Sequence, residues 1–133
     1  MSAPLYIKYA NSIVFSSAFY WRFSRGFIFT QSVEILALIF LIRFFFKWES
    51  RRFSIWQIIF VGFLASFATY PYLWFVAPWF LHAGQYIFAI ELAIVFVEAV
   101  IYNRFLKLEF HHALLISFVC NSLSFFGGRL IFQ

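Results

Sequence analysis

The chain contains no aspartate among its 133 residues, which excludes two kinds of active site that occur in membrane enzymes. Neither the paired-aspartate site of membrane proteases nor an aspartate-rich phosphotransferase motif can be built from it. The single cysteine, Cys120, cannot form an intrachain disulfide or a CxxC or zinc site. The three histidines, His82, His111 and His112, fall at opposite ends of the predicted helices, so no bis-histidine haem is expected.

Charge is also scarce, since Asp, Glu, Lys and Arg together make up 11% of the residues. Typical soluble domains carry about 25%. Hydrophobic residues make up 65%, phenylalanine alone supplies 23 residues, and the mean hydropathy is +0.89. This composition predicts an integral membrane protein whose main partner is the lipid bilayer. The net charge of +5 fits loops that face anionic headgroups, and no nucleic-acid partner is expected.

Charged residues divide the rest of the chain, 27–133, into four hydrophobic runs. The predicted spans are about 27–46, 53–70, 84–103 and 113–132. Each is close to the 20 residues that a helix needs to cross roughly 30 Å of hydrocarbon. Backbone groups in lipid must be satisfied within the segment, so the runs predict an all-α, polytopic, four-helix transmembrane bundle.

Two segments depart from this pattern. Residues 1–26 mix polar and apolar side chains, which predicts a short helix in the interface or packed along the bundle, with a fifth span as the alternative. Residues 71–83 contain two prolines and several aromatic residues, which predicts an aromatic interfacial loop or, alternatively, a loop that lines a cavity. Pro71 should end or kink the second helix near Thr69.

The distribution of Lys and Arg predicts the orientation. The loops around 43–52 and 104–107 are basic, whereas the loop between the second and third spans has no Lys or Arg. Because basic loops stay on the cytoplasmic side, we expect a multi-pass protein of the inner (cytoplasmic) membrane with both termini outside. Lys8, Arg22 and Arg25 oppose this orientation, since they would then lie on the outer side.

Three glutamates, Glu34, Glu91 and Glu98, lie inside predicted spans. A charged side chain near the centre of a membrane helix costs roughly 2.5 to 3.5 kcal/mol on insertion scales. Glu34 and Glu91 each lie seven residues into their spans, about 10 Å deep at 1.5 Å per residue. Ser66 and Ser124 reach the same level, so these four side chains should form one layer.

A deeper layer is predicted around Glu98, which follows Glu91 by two helical turns and therefore points the same way. On the fourth span, polar and small residues recur at spacings of four, three and four, which marks a single face. We expect Arg129 to reach down to the upper layer. The candidate ion or proton site comprises Glu34, Glu91, Glu98, Asn121 and Arg129, and the helix-packing residues are Gly62, Ser66, Ser117, Ser124 and Gly128.

Other chemistry is not expected. Glu109, His111 and His112 could bind a metal at the inner surface, but adjacent histidines point in different directions on a helix, so we predict no metal site. No cofactor is predicted either. No set of nucleophile, base and orienting group is visible, so an enzyme is not expected, although a lipid-processing site under residues 71–80 stays open.

Part of the chain resembles a pattern in small polytopic membrane proteins of bacteria and archaea. The resemblance covers about half of the sequence and implies no activity. It suggests that the glutamate and asparagine face is a shared feature. The residues that carry it are Pro71–Trp74, Glu91, Val97-Glu98-Ala99, Ala113, Ser117, Asn121-Ser122, Ser124-Phe125 and Gly127 or Gly128.

Two functions fit these observations. The first is a non-enzymatic subunit of a larger inner-membrane assembly, with its glutamates in contacts between helices or with neighbouring subunits. The alternative is a small oligomeric transporter or channel coupled to protons or cations through Glu34, Glu91 and Glu98. The expected protein partners are accordingly other membrane subunits or further copies of the chain.

Overall fold

The described residues of the chain form four helices and no strand. The structure is a computed structural model that describes residues 17–47, 52–76 and 85–132, with only the backbone of 85–87. Helix α1 is Ser17–Phe40, α2 is Ile55–Pro71, α3 is Gln85–Phe105 and α4 is Phe110–Ile131. Single π-helical turns, Leu41–Phe45 and Tyr72–Val76, extend α1 and α2. The predicted all-α class is therefore confirmed.

The helices pack as a four-membered bundle in chain order. Helix α1 packs against α2 and α4, and α3 packs against the same two helices. Helices α1 and α3 consequently occupy diagonal positions, with their inward faces opposed across the centre. This arrangement places side chains from α1 and α3 in one interior space.

Three of the four helical segments are long and apolar enough to cross a membrane. They are Ser17–Phe45, Ile55–Phe75 and Phe110–Ile131. Helix α3 has a comparable length of 21 residues, but it carries Glu91, Glu98 and Arg104. Helix α1 likewise carries three charged residues.

Helix α1 begins ten residues earlier than the predicted first span. Residues 17–26 are continuous with the rest of α1, so they do not form a separate helix. The segment Ser17–Phe45 has 29 residues and is about 43 Å long at 1.5 Å per residue. This length exceeds the roughly 30 Å thickness of the hydrocarbon core of a bilayer. Residues 1–16 of the predicted N-terminal segment lie outside the described residues.

The end of α2 also differs from the prediction. The α-helix continues to Pro71, two residues past Thr69, and the π-helical turn Tyr72–Val76 then extends it. Proline has no N–H to donate, and its ring crowds the preceding turn, so regular α-helical geometry stops there. The wider π turn keeps the chain helical. The first part of the predicted loop is thus helical, and residues 77–83 lie outside the described residues.

Local hydrogen bonds close the end of the bundle where the α1–α2 and α3–α4 connections lie. Ser54 and Gln57 form a capping box at the start of α2, with N–H to oxygen distances of 3.2 and 2.9 Å between them. Arg43 Nη2 donates to the carbonyl of Phe53 at 2.9 Å. Asn103 Nδ2 donates to the carbonyl of Leu108 at 2.7 Å. These bonds fix the turns that set neighbouring helices antiparallel.

The apolar core fills the half of the bundle next to these connections. Its side chains come from all four helices and the α3–α4 turn, and they exclude solvent almost completely. The main members are Leu38, Ile42, Ile58, Val61, Ala65, Ala99, Tyr102, Leu106, Leu108, Ala113, Ile116 and Cys120.

Candidate functional site

Glu34 lies on α1 and is 2% exposed, with its carboxyl group at the centre of the bundle. Ser66 Oγ on α2 donates to Glu34 Oε2 at 2.5 Å. Ser124 Oγ on α4 donates to Glu34 Oε1 at 2.8 Å. One carboxyl group therefore joins three helices, and Ser66 and Ser124 lie at the level that the depth comparison predicts.

Glu98 on α3 is 1% exposed and has a second set of donors. Thr69 Oγ1 on α2 donates to Glu98 Oε1 at 2.9 Å. Ser117 Oγ on α4 donates to Oε2 at 3.1 Å, and Asn121 Nδ2 donates to the same oxygen. The structure thus brings Ser117 and Asn121 to Glu98, the deeper layer expected from the spacing on the fourth span.

The donors of both glutamates have alternative acceptors on their own helices. Ser66 Oγ lies 3.1 Å from the carbonyl of Gly62, and Thr69 Oγ1 lies 3.1 Å from that of Ala65. A hydroxyl group within a helix can donate a hydrogen bond to the backbone carbonyl one turn earlier. The carboxyl oxygens have no such alternative, so the glutamates depend on the donors more than the donors depend on the glutamates.

The three glutamates Glu34, Glu91 and Glu98 line one cavity of about 210 Å³. Glu91 is half-buried and forms no hydrogen bond with the described residues, in contrast to Glu34 and Glu98. No Lys or Arg occurs among the residues that line the cavity, which are Gly26, Phe29, Thr30, Glu34, Ser66, Thr69, Tyr70, Leu73, Trp74, Glu91, Ile94, Glu98, Asn121, Ser124, Phe125, Gly128 and Phe132. Ionised carboxylates that share so small a space repel one another unless a proton or cation lies between them.

Aromatic side chains pack beside the cavity between α1 and the end of α2. The Phe23 ring lies 5.5 Å from the Tyr70 ring and 5.8 Å from the Trp74 ring. Gly26 allows this approach, because a Cβ atom at that position would collide with the Tyr70 hydroxyl group. The glycine and the two large rings thereby shape the wall of the acidic cavity.

Two further cavities adjoin the acidic one and differ in charge. A cavity of about 550 Å³ at the bundle end shares Gly26, Trp74 and Phe132 with it and is lined by Arg22 and Arg25. A cavity of about 430 Å³ between α3 and α4 shares Glu91, Asn121 and Phe125 with it. The acidic cavity is therefore bordered by a basic space at the bundle end and a mainly apolar one at the side. The other residues of the side cavity are Phe88, Leu92, Val95, Phe118, Ser122, Phe126 and Arg129.

Arg129 does not reach the upper glutamate layer. Its side chain is exposed, and it forms no ion pair with a described glutamate. It lines the side cavity together with Glu91, and α4 ends two residues later at Ile131. The role of Arg129 in the candidate ion or proton site stays a prediction.

The predicted packing residues lie at close helix contacts, but to different degrees. A Cβ atom added to Gly62 would lie 3.1 Å from Leu38 Cδ2 and 3.2 Å from Ile35 Cγ1, so α1 and α2 approach closely there. A Cβ atom at Gly128 would lie 3.7 Å from Phe29, which is ordinary contact. Of these two predicted packing glycines, only Gly62 would need its neighbours to shift if it carried a Cβ atom.

The sequence reasoning missed two polar residues of the site, Gln31 and Thr69. Gln31 is 8% exposed, and its Nε2 donates to the carbonyl of Gly62 at 3.4 Å and to Ser66 Oγ at 3.5 Å. Helical spacing could have found both, since Gln31 precedes Glu34 by three residues and Thr69 follows Ser66 by three.

A second polar cluster lies at the start of α4. Glu109, His111 and His112 place one ligand atom each within 4.8 Å of one another. Adjacent positions on a helix predict different directions for the two side chains. The two imidazole rings nevertheless lie close together, with centroids 4.0 Å apart.

No known protein family, curated protein or solved structure matches the chain. Over its described residues, the chain is an all-helical protein of four helices, three of which are suited by length and composition to spanning a membrane.

Proposed function

We propose that this chain is a polytopic membrane protein that binds protons or a cation in its acidic cavity and uses that binding for transport. The observation that carries the proposal is the convergence of Glu34, Glu91 and Glu98 on one interior cavity, which no basic side chain of the described residues lines. A net acidic space within a bundle attracts positive charge. Intramembrane carboxyl groups commonly mark ion pathways and proton relays.

In this proposal the three glutamates have different roles. Glu34 and Glu98 are fixed by donors from neighbouring helices, so their oxygens are held in place. Glu91 lines both the acidic cavity and the side cavity and has no hydrogen bond to a described residue. It is therefore the carboxyl group best suited to take up and release the proton or cation.

The surface and the ends of the bundle support the proposed membrane setting. Large apolar side chains face outward on every helix, among them Leu36, Phe60, Phe96 and Phe118. Both basic connections lie at one end, where the Phe46 and His112 rings are 5.0 Å apart. We propose that this end is cytoplasmic in the inner membrane, as the excess of basic residues there favours.

The test is ion flux through the purified protein in liposomes. A pH-sensitive dye inside the liposomes reports proton movement under Na⁺ or K⁺ gradients. Glu91→Gln removes the free carboxyl group with almost no change in volume, so we expect at least a tenfold loss of flux with an unchanged helical circular dichroism spectrum. Glu109→Gln, assayed with a metal chelator present, is the matched control, because Glu109 lies on the surface outside the cavity.

Retained flux in both Glu91→Gln and Glu34→Gln would overturn the transport proposal. Equal loss in Glu91→Gln and Glu109→Gln would overturn the assignment to the cavity, since only one of these residues lines it.

A second candidate function is a non-enzymatic subunit of a larger membrane assembly. It is favoured by the hydrogen bonds of Glu34 and Glu98, which tie α2 and α4 to the diagonal helices α1 and α3 as purely structural contacts would. The native mass after gentle extraction separates the two candidates. Co-migration with other proteins at fixed stoichiometry supports the subunit, whereas a monomer or homo-oligomer supports the transporter.

A further inference from the structure

The cluster at the start of α4 has the donor spacing of a metal site. Glu109 Oε2 lies 3.4 Å from His111 Nε2 and 3.7 Å from His112 Nδ1. Bond lengths of about 2.0–2.1 Å in a tetrahedral zinc site place neighbouring ligand atoms roughly 3.3–3.4 Å apart. Two of the three edges thus already approach the length that an ion would impose, and all three atoms lie within 4.8 Å of one another.

The position of Glu109 at the helix start is an independent observation. Glu109 is the residue that caps α4, yet its side chain accepts no hydrogen bond from the N–H groups of the first turn. Instead it faces the two imidazoles, which leaves its oxygens available as ligands. Its charge also offsets the positive end of the α4 dipole, which would otherwise disfavour a cation.

The three side chains of the cluster differ in their exposure to solvent. The His112 side chain is 23% exposed, and its ring packs edge-on against Phe46 at 5.0 Å. The side chains of His111 and Glu109 are 70% and 63% exposed, so an ion can enter from solvent. His112 precedes Ser124 by 12 residues, about 18 Å along α4, so the cluster is separate from the acidic cavity.

We propose that Glu109, His111 and His112 bind a divalent transition-metal ion of the zinc class. Two imidazole nitrogens and one carboxylate oxygen suit Zn²⁺, Co²⁺ and Ni²⁺, whereas Mg²⁺ and Ca²⁺ prefer oxygen ligands alone. The three protein ligands leave a fourth tetrahedral position for water. A bound ion would link Glu109, which precedes α4, to His111 and His112 in the first turn of α4. It would lie beside the end of α1.

The test is titration of the purified protein, carrying no histidine tag and stripped with a chelator, with Zn²⁺ by calorimetry and with Co²⁺ by visible absorption. We expect one ion per chain and the intense absorption bands of tetrahedral Co²⁺. His111→Gln, His112→Gln and Glu109→Gln should each weaken affinity at least tenfold. His82→Gln, the same change at the remaining histidine, should leave both titrations unchanged.

Either of two results would overturn the site. One is the absence of saturable Zn²⁺ binding to the unaltered protein. The other is unchanged binding in the double variant H111Q/H112Q, which would assign any observed ion to other groups. Mg²⁺ at the same concentrations should not compete, and effective competition by Mg²⁺ would contradict the assigned class of ion.

Discussion

The two halves of the bundle are built from the same four helices but have opposite interiors. Next to the connections, α1 and α2 turn Leu38, Ile42 and Ile58 inward, and the space is closed by apolar packing. Beyond the level of Ala65, the inward positions become polar, and a cavity opens among three carboxyl groups. The helices continue past this level without a break. The change from apolar to polar residues on their inward faces therefore sets the position of the cavity.

The halves also satisfy their polar groups differently. In the polar half, Glu34 and Glu98 receive hydrogen bonds from side chains on neighbouring helices. In the apolar half, the buried hydroxyl group of Tyr102 has no partner among the described residues. Hydrogen bonding should therefore contribute to stability mainly in the polar half, while packing should dominate in the other.

The largest effect on stability is expected for Asn121→Leu in the polar half. The change removes a donor from Glu98 and leaves a buried carboxyl group less well satisfied, so the free energy of unfolding should fall by roughly 2–3 kcal/mol. Reversible unfolding in mixed detergent micelles measures it. Ser122→Ala, at the adjacent half-buried position, should change stability by less than about 0.5 kcal/mol. Equal effects of the two changes would mean that Glu98 does not depend on Asn121.

An intermediate effect is expected for Gly62→Ala, where the halves meet, compared with Gly128→Ala in the polar half. Both gain helix propensity, but only the methyl group at position 62 presses on Leu38 and Ile35. The Gly62 variant should therefore be less stable than the Gly128 variant by roughly 1–2 kcal/mol in the same unfolding assay. A reversed order would show that α1 and α2 separate easily at this level.

The smallest effect is expected for Tyr102→Phe in the apolar half. Removing a buried hydroxyl group without a described partner should leave the free energy of unfolding within about 0.5 kcal/mol or raise it slightly. A loss of more than about 1 kcal/mol in thermal or detergent unfolding would indicate a buried water bound to this hydroxyl group. The supposed contrast between the halves would then be weaker.

Much of the fold could be predicted because the hydrophobic runs are long and the helix is the only backbone conformation that satisfies itself in lipid. The level of Ser66 and Ser124 beside Glu34 followed from a rise of 1.5 Å per residue. The earlier start of α1 at Ser17 could not be predicted, since polar residues in its first turns look like an interfacial segment. The π turn after Pro71 could not be predicted either, because the proline indicates only that regular α-helix stops there.

The sequence by itself determined the helical class, the depth of each glutamate and the polar face of α4, since all three depend on composition and on a fixed helical repeat. Only the tertiary structure decided which carboxyl groups are satisfied. Glu91 and Glu98 share a face of α3, yet Glu98 meets three donors and Glu91 meets a cavity. The physical reason is that a helical repeat fixes where a side chain points on its own helix, whereas its surroundings depend on how the neighbouring helices are rotated and how closely they approach.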